Sequence, residues 1–337
     1  MTDTPRRGRT SEPLLTVEGL GLSLPGTARP LLADVSLHIA PGEVVGLVGE
    51  SGSGKSTTAK AALGLWPRGA EVSGSVRLGD TDVLALRGDD LRQHRSRTVA
   101  MVHQDPRAAL NPVRRIGDFL LERLPGLPRE QARARAAELL DAVGLPEPER
   151  RLRQRPHELS GGMLQRVVIA GALAAEPRLL LADEATSALD VTTQAEILAL
   201  LRTLRAAHGL GLLFITHDLH LAAAYCDRVY VMYAGRVAES RTAKDLFAHP
   251  AHPYTRGLLA CSPALGTPTA PRPVPGRPPS LADALPGCPF APRCTEADAA
   301  CTEWEPRALP LAEGGHAACR RLPESAALSG ATERTTS

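Results

Sequence analysis

The strongest chemical signal in the chain is Gly49-Glu50-Ser51-Gly52-Ser53-Gly54-Lys55-Ser56-Thr57. Its spacing is G-x-x-x-x-G-K-[ST], with an apolar run (Glu43 to Val48) before it and a helix-forming stretch after it. The glycines let successive backbone N–H groups turn toward one anion, and the start of a helix adds partial positive charge. Lys55 supplies a compact cation for the β- and γ-phosphates of a nucleotide. The Ser56 hydroxyl is a hard oxygen ligand suited to Mg²⁺. A glycine-rich turn with a chance lysine is the bland alternative, and the flanking elements weigh against it.

A second apolar run, Leu179-Leu180-Leu181-Ala182, ends in Asp183-Glu184. The first acid at such a strand end can hold the Mg²⁺ shell, and the second can orient and deprotonate an attacking water. Alone, an apolar run ending in two acids is an ordinary solvated strand end. Its company here is Leu159-Ser160-Gly161-Gly162-Met163, a second glycine-bearing helix start with Ser160 as a good N-cap. Two anion-binding helix starts with one lysine-bearing loop point to a nucleotide shared between two molecules.

These residues need a scaffold, and the patterning supplies one. From Leu14 the chain alternates apolar and polar residues (LLTVEGL, then VSLHIA), the period of half-buried strands. Buried-strand runs occupy Glu43–Val48, Thr98–Val102, Leu179–Ala182, Leu212–Ile215 and Val229–Met232, and Ser75–Leu78 reads as an edge strand. Residues 106–165 turn Arg/Glu/Ala/Leu-rich and read as amphipathic helix broken by prolines, and Gln194–Leu204 is helical. Strands alternating with helices predict an α/β domain with a mainly parallel sheet. Beyond His249 comes a proline-rich connector, PTAPRPVPGRPP, then a cysteine-bearing segment.

With those residues in view, the chain resembles the ATP-binding cassette (ABC) ATPases, whose motifs follow one another in order over residues 49–217. The resemblance implies a phosphate-loop (RecA-like) core, a helical subdomain at about 106–165, and ATP with Mg²⁺ as ligands. It implies that Gly49 to Thr57 cradle the phosphates and that Ser56, Gln104 and Asp183 face the metal. Glu184 would be the catalytic base and His217 in FITHD the switch that contacts the γ-phosphate. Ser160, Gly161 and Gly162 would cover the ATP of the other subunit, and Asp190 in Ser187-Ala188-Leu189-Asp190 would lie in the loop crossing the dimer interface. Taken singly, His217 would be a structural histidine, Gln104 a polar loop residue, and Ser187 and Asp190 a helix cap. One departure is visible: the stretch Leu22-Ser23-Leu24-Pro25 carries no aromatic residue where the family stacks adenine, which predicts weak base selection with Leu24 giving only apolar contact.

Further stretches are similar to the ATP-binding subunits of oligopeptide, dipeptide and nickel importers: Asn111-Pro112, His252-Pro253-Tyr254-Thr255-Arg256-Gly257-Leu258-Leu259, and Gly287-Cys288-Pro289-Phe290-Ala291-Pro292-Arg293-Cys294. The organisation expected is a loose tail at 1–13, an ATPase domain at 14–250, a C-terminal extension at 251–322 and a second loose tail at 323–337. The family implies a motor on the cytoplasmic face of the membrane. Its partners would be a second ATPase (twin or paralogue), two membrane permeases and an extracytoplasmic substrate-binding protein. Peptide is favoured over nickel as the cargo.

Cys288, Cys294, Cys301 and Cys319 are spaced C-x5-C-x6-C-x17-C, unlike the C-x-x-C of common zinc sites. Four thiolates in a segment with few apolar residues could staple it through a [4Fe–4S] cluster, ahead of zinc, with thiols that merely pack as the alternative. Cys226 and Cys261 read as ordinary apolar positions, and His316 as a solvated loop histidine.

Composition sets the bounds. The chain has 337 residues, 43% hydrophobic and 3% aromatic, with a formal net charge of +2. That is enough apolar material for one large core or two domains. The balanced charge, with no basic stripe interleaved with aromatics, argues against a nucleic-acid partner and so against a soluble cassette ATPase acting on DNA or ribosomes. No stretch reads as a membrane span or signal peptide, so the cysteines are expected reduced in a cytoplasmic protein.

Overall fold

The computed structural model describes residues 12–187, 189–261, 272–312 and 314–322. The expected terminal tails, part of the proline-rich connector and Ala188 fall outside these residues, apart from Glu12 and Pro13.

The chain opens with β1 (Leu15–Ser23) and β2 (Leu32–Ile39), followed by β3 (Val44–Val48), the loop of residues 49–54 and α1 (Lys55–Ala61). Next come β4 (Glu71–Leu78), β5 (Thr81–Asp82), α2 (Gly88–Arg97) and β6 (Val99–Val102). The helical region holds α3 (Ile116–Leu121), α4 (Arg129–Ala142), α5 (Pro148–Arg151) and α6 (Gly161–Leu173). Then follow β7 (Leu179–Asp183), α7 (Val191–His208), β8 (Gly211–Thr216), α8 (Leu219–Tyr225), β9 (Arg228–Tyr233) and β10 (Arg236–Thr242). The C-terminal part contains α9 (Ala243–Ala248), α10 (Pro253–Cys261), β11 (Leu309–Pro310) and β12 (His316–Ala317).

Among the described residues the main sheet runs β11-β12-β10-β9-β3-β8-β7-β6. From β9 to β6 every pairing is parallel; β10, β12 and β11 add on antiparallel. The parallel strands are apolar along their whole length because both faces are covered. In β3, Val44 and Val48 face the core built with the helical region, whereas Val45 and Leu47 face the core built with the second sheet. β8 divides the same way, with Leu212 and Phe214 on one side and Leu213 and Ile215 on the other.

The second sheet, β2-β1-β4-β5, is antiparallel and one-sided. Its strands alternate buried and exposed positions, as in Leu32, Val35, Leu37 and Ile39 of β2. β4 is longer than the sequence reading had it and lies between β1 and β5 rather than at the edge. Its first half, from Glu71 to Ser75, is polar and largely exposed, so it carries no apolar signal. The C-terminal strands β11 and β12 continue the main sheet through the pairing of β12 with β10, at Glu239 with Ala317 and Ser240 with His316. Among the described residues no helix is long and apolar enough to cross a membrane.

Candidate nucleotide and hydrolysis site

In an open parallel sheet, ligands bind beyond the carboxyl ends of the strands. Here β3, β8 and β7 are neighbours, and their carboxyl ends deliver the glycine loop, His217, and Asp183 with Glu184 to one edge. Side chains far apart in sequence therefore meet because three apolar strands lie side by side.

The loop conformation depends on glycine at two points. Gly49 has φ 146°, and a Cβ there would fall 2.2 Å from the Met232 carbonyl oxygen. Gly54, at φ 104°, caps α1 without a side-chain bond, leaving the first N–H groups of the helix for an anion. Lys55 is buried, and its Nζ donates to the carbonyls of Gly49 (2.8 Å) and Glu50 (2.9 Å). Burial pushes its ammonium below the usual lysine range, while Glu184, Asp183 and Glu50 pull the other way. The Ser53 hydroxyl is buried with no hydrogen-bond partner among the described residues. An orphaned donor and a lysine satisfied only by loop carbonyls fit a loop built to accept phosphate oxygens.

Ser56 Oγ donates to Asp183 Oδ1 at 2.8 Å, so the hydroxyl and carboxylate suited to Mg²⁺ already stand together. Glu184 is the first residue past β7 and sits in the left-handed region at φ 49°, uncommon for a residue with a side chain. Its N–H donates to the Ile215 carbonyl at 3.1 Å, which fixes that turn against β8. The carboxylate lies 3.5 Å from His217 Nδ1. His217 stands at the tip of a short turn: Thr216 Oγ1 accepts the Asp218 N–H at 3.0 Å, and Asp218 caps α8 by accepting the Leu221 N–H at 3.0 Å. The imidazole is 63% exposed against 24% for the Glu184 side chain, so the histidine is the more open of the two.

Gln104 joins this group through Ser187. Its Nε2 donates to Ser187 Oγ at 3.1 Å, and Ser187 Oγ donates to the Glu184 carbonyl at 3.0 Å. Beside Gln104, a groove of about 820 Å³ runs between β6 and the helical region, lined by Met101, His103, Phe119, Arg123 and Leu127 among others.

Ser160, Gly161 and Gly162 open α6, on the helical side of the molecule. The Ser160 hydroxyl accepts the Met163 N–H at 3.3 Å, and Ser160 and Gly161 are exposed. Asp190 caps α7, accepting the Thr193 N–H at 3.0 Å and the Thr193 hydroxyl at 2.7 Å. These bonds hold its carboxyl below the usual range. Thr193 in turn packs on Gly162, where a Cβ would come within 2.5 Å of Thr193 Cγ2. Asp190 thereby supports the start of α6 through Thr193.

Sequence reasoning missed a contribution from the C-terminal part. The Glu50 carboxylate is gripped by Arg293, Nη1 to Oε2 at 2.6 Å and Nη2 to Oε1 at 3.0 Å. The Glu50 N–H donates to the Tyr254 hydroxyl at 2.9 Å. Arg29, in the loop after β1, donates to the Ser280 carbonyl at 3.1 Å, and Ala28 N–H to the Leu281 carbonyl at 3.0 Å. The signal available was that HPYT and CPFAPRC each surround one of these residues, Tyr254 and Arg293. Leu24 is half-buried against the core that also holds Leu22 and Leu32.

Cys288, Cys294, Cys301 and Cys319 all line one small cavity, with His252 and Phe290 at its wall. Among the described residues no group of three or more His, Cys, Asp or Glu side chains stands in an arrangement that holds a metal ion. Burial raises the thiols of Cys288, Cys294 and Cys319, the last to about 11, and the neighbouring thiols add to the effect. Cys226 is buried in the core, and His316 is exposed on β12, outside the lining of this cavity.

Comparison with known proteins gives two family matches: ABC transporter over residues 32–187, and oligopeptide/dipeptide transporter, C-terminal region, over residues 238–301. An oligopeptide transport ATP-binding protein, OppD, of Mycobacterium tuberculosis is 48% identical over 317 residues, covering 92% of this chain and 52% of its own length. The chain therefore spans about half the length of that relative. A probable D,D-dipeptide transport ATP-binding protein, DdpD, of Escherichia coli K12 is 46% identical over 300 residues, covering 86% of this chain and 91% of its own. OppD of Salmonella typhimurium is 44% identical over 277 residues, covering 81% and 83%. Among solved structures, cbiO1 of Clostridium perfringens, part of the ABC transporter complex cbiONQ, superposes with a TM-score of 0.63 at 29% identity, covering 71% of this chain and 92% of its own. An ATP-binding cassette captured as a dimer in a post-hydrolysis state with ADP and phosphate gives 0.60 at 30% identity, covering 68% and 98%.

Proposed function

The chain belongs to the ABC transporter family of ATPases, in the branch with the oligopeptide/dipeptide C-terminal region, and on that premise we propose that it is the ATP-hydrolysing motor subunit of a peptide importer. The observation that carries this reading is the meeting of Lys55, Ser56, Asp183, Glu184 and His217 beyond the carboxyl ends of three neighbouring strands. Dipeptides or oligopeptides are preferred to nickel as cargo because the relatives compared are named for peptides.

Each complete site takes the lysine loop, Asp183, Glu184 and His217 from one subunit and Ser160–Gly162 from another. The exposed, serine-capped start of α6 gives that second part free N–H groups to offer a γ-phosphate. Glu184 accepts a proton from water as the water oxygen bonds to the γ-phosphorus and the bond to the ADP oxygen breaks. Lys55 and the loop N–H groups hold the phosphates in place, so the work is positioning and electrostatic stabilisation. Ser56 and Asp183, which already hydrogen-bond to each other, would hold Mg²⁺ together with Gln104, and the ion would supply positive charge to the phosphate oxygens.

The partners proposed are a second ATPase, twin or paralogue, two permeases and an extracytoplasmic binding protein, with this chain on the cytoplasmic face of the membrane. The groove suits a permease segment: it is partly apolar, its lining includes His103 next to Gln104, and Gln104 is linked through Ser187 to the backbone carbonyl of Glu184. For the cysteine ring we propose a [4Fe–4S] cluster held by Cys288, Cys294, Cys301 and Cys319. The proposal rests on the four cysteines lining one small cavity; among the described residues they do not stand in a metal-holding arrangement, so a cluster would require them to draw together, and it would then supply a crosslink for a segment poor in apolar residues. Protein purified without oxygen should then carry iron and acid-labile sulfide; a colourless, metal-free preparation would remove the cluster from the account.

Affinity purification of this chain from detergent-solubilised membranes tests the motor reading. Two permeases and an ATPase should co-elute, with Mg²⁺-dependent ATP turnover that Lys55→Ala abolishes. Recovery of the active chain with no membrane protein would overturn it.

A further inference from the structure

Glu50 is held at three points: its N–H by the Tyr254 hydroxyl, its carbonyl by Lys55 Nζ, and its carboxylate by both arms of Arg293. Two of the three holders lie in the C-terminal part, Arg293 being 243 residues away in sequence. Arg293 is only 7% exposed. Its Nε donates to the Pro275 carbonyl at 2.7 Å and its guanidinium lies over Tyr233, so its fork is fixed before any nucleotide arrives. Phe290 packs edge-on against Tyr233 (5.2 Å between centroids) and beside Tyr254 (5.3 Å), joining the two holders into one unit.

A carboxylate at this place is a hazard to a phosphate site. It is one residue after Gly49 and acts electrostatically on Lys55. Left uncompensated, it would compete for the ammonium and repel the incoming phosphates. The two-pronged pair with Arg293 neutralises that charge. We infer that Arg293 is a positioning residue for ATP binding, acting through Glu50: the C-terminal region, besides anything else it does, neutralises and aims the phosphate loop of its own subunit.

The inference rests on the nucleotide-site reading above. Arg293→Met should raise KM for ATP about tenfold, since it strands a partly buried carboxylate, and leave kcat within about twofold. On a Glu50→Gln background, where no carboxylate remains to be compensated, Arg293→Met should change KM by less than about threefold, whatever KM Glu50→Gln itself sets. Arg293→Lys keeps the charge but loses the fork and should fall between. A purely architectural arginine would give the opposite pattern, with the damage independent of the residue at 50. The measurements are steady-state phosphate release by the assembled complex and calorimetric titration of the full chain with Mg-ATP, which reports the same contrast even if turnover is absent. Should Arg293→Met not fold, the pair Arg293→Lys and Glu50→Gln with Arg293→Lys poses the same question. An unchanged ATP affinity on losing the arginine fork, or a weakened affinity that Glu50→Gln does not relieve, would overturn the inference. Loss of nucleotide binding by the native chain itself would instead count against the motor reading.

Discussion

Ser56 and Asp183, from α1 and the end of β7, are joined by a 2.8 Å hydrogen bond from Oγ to Oδ1. The bond pre-assembles two oxygen ligands that the chain separates by 127 positions. On the proposed reading these two oxygens would hold Mg²⁺. Asp183→Asn keeps the shape but removes the one negative charge that the Ser56–Asp183 pair offers the ion. Hydrolysis should fall by ~10²-fold or more, with the loss measured as phosphate release across a Mg²⁺ titration. Turnover within a few fold of native at all Mg²⁺ concentrations would show that Asp183 does not serve the metal.

Base selection follows from Leu24. A half-buried leucine offers the purine ring no π face, and stacking on an aromatic is worth about 1–3 kcal/mol. Competition binding should therefore find ATP preferred over GTP by about tenfold or less. A much larger preference would mean that another part of the site reads the base.

Acid should reveal His252. Burial in the wall of the cysteine cavity, with Arg256 adding to it, lowers the imidazole from an ordinary 6.5 to about 4. Its Nδ1 accepts the Tyr254 N–H at 3.0 Å, so the folded chain keeps that nitrogen unprotonated. Because the unfolded chain binds the proton first, the stabilising effect is whole above about pH 6.5 and is lost as pH falls toward 4. Equilibrium urea unfolding over that range should show the native chain losing about 3 kcal/mol more than His252→Gln. Parallel pH profiles would place the histidine in a wetter setting.

Much of this was legible in the primary structure for definite reasons. β3, β7 and β8 stood out because both faces of the parallel sheet are covered and the strands are apolar throughout. The cap at Ser160 is short-range chemistry within one turn, and the sequence reading of Ser160 as an N-cap agrees with the bond to Met163. β4 was read short because half of it is polar and exposed. The grip of Arg293 and Tyr254 on Glu50 was invisible for another reason. It joins loop residues across 243 and 204 positions, and no periodicity marks which polar side chains will meet across such a gap. The motifs around Tyr254 and Arg293 signalled that those residues mattered without saying to what.

The most direct measurement is on Glu184→Gln, whose amide cannot take the proton from water although the turn at φ 49° and the neighbouring His217 are kept. With saturating Mg-ATP and its cognate ATPase present, light scattering or crosslinking should find this variant locked as a pair, with each lysine loop roofed by the other subunit's Ser160–Gly162. A variant that binds ATP yet stays single under those conditions would contradict the shared site on which the whole account stands.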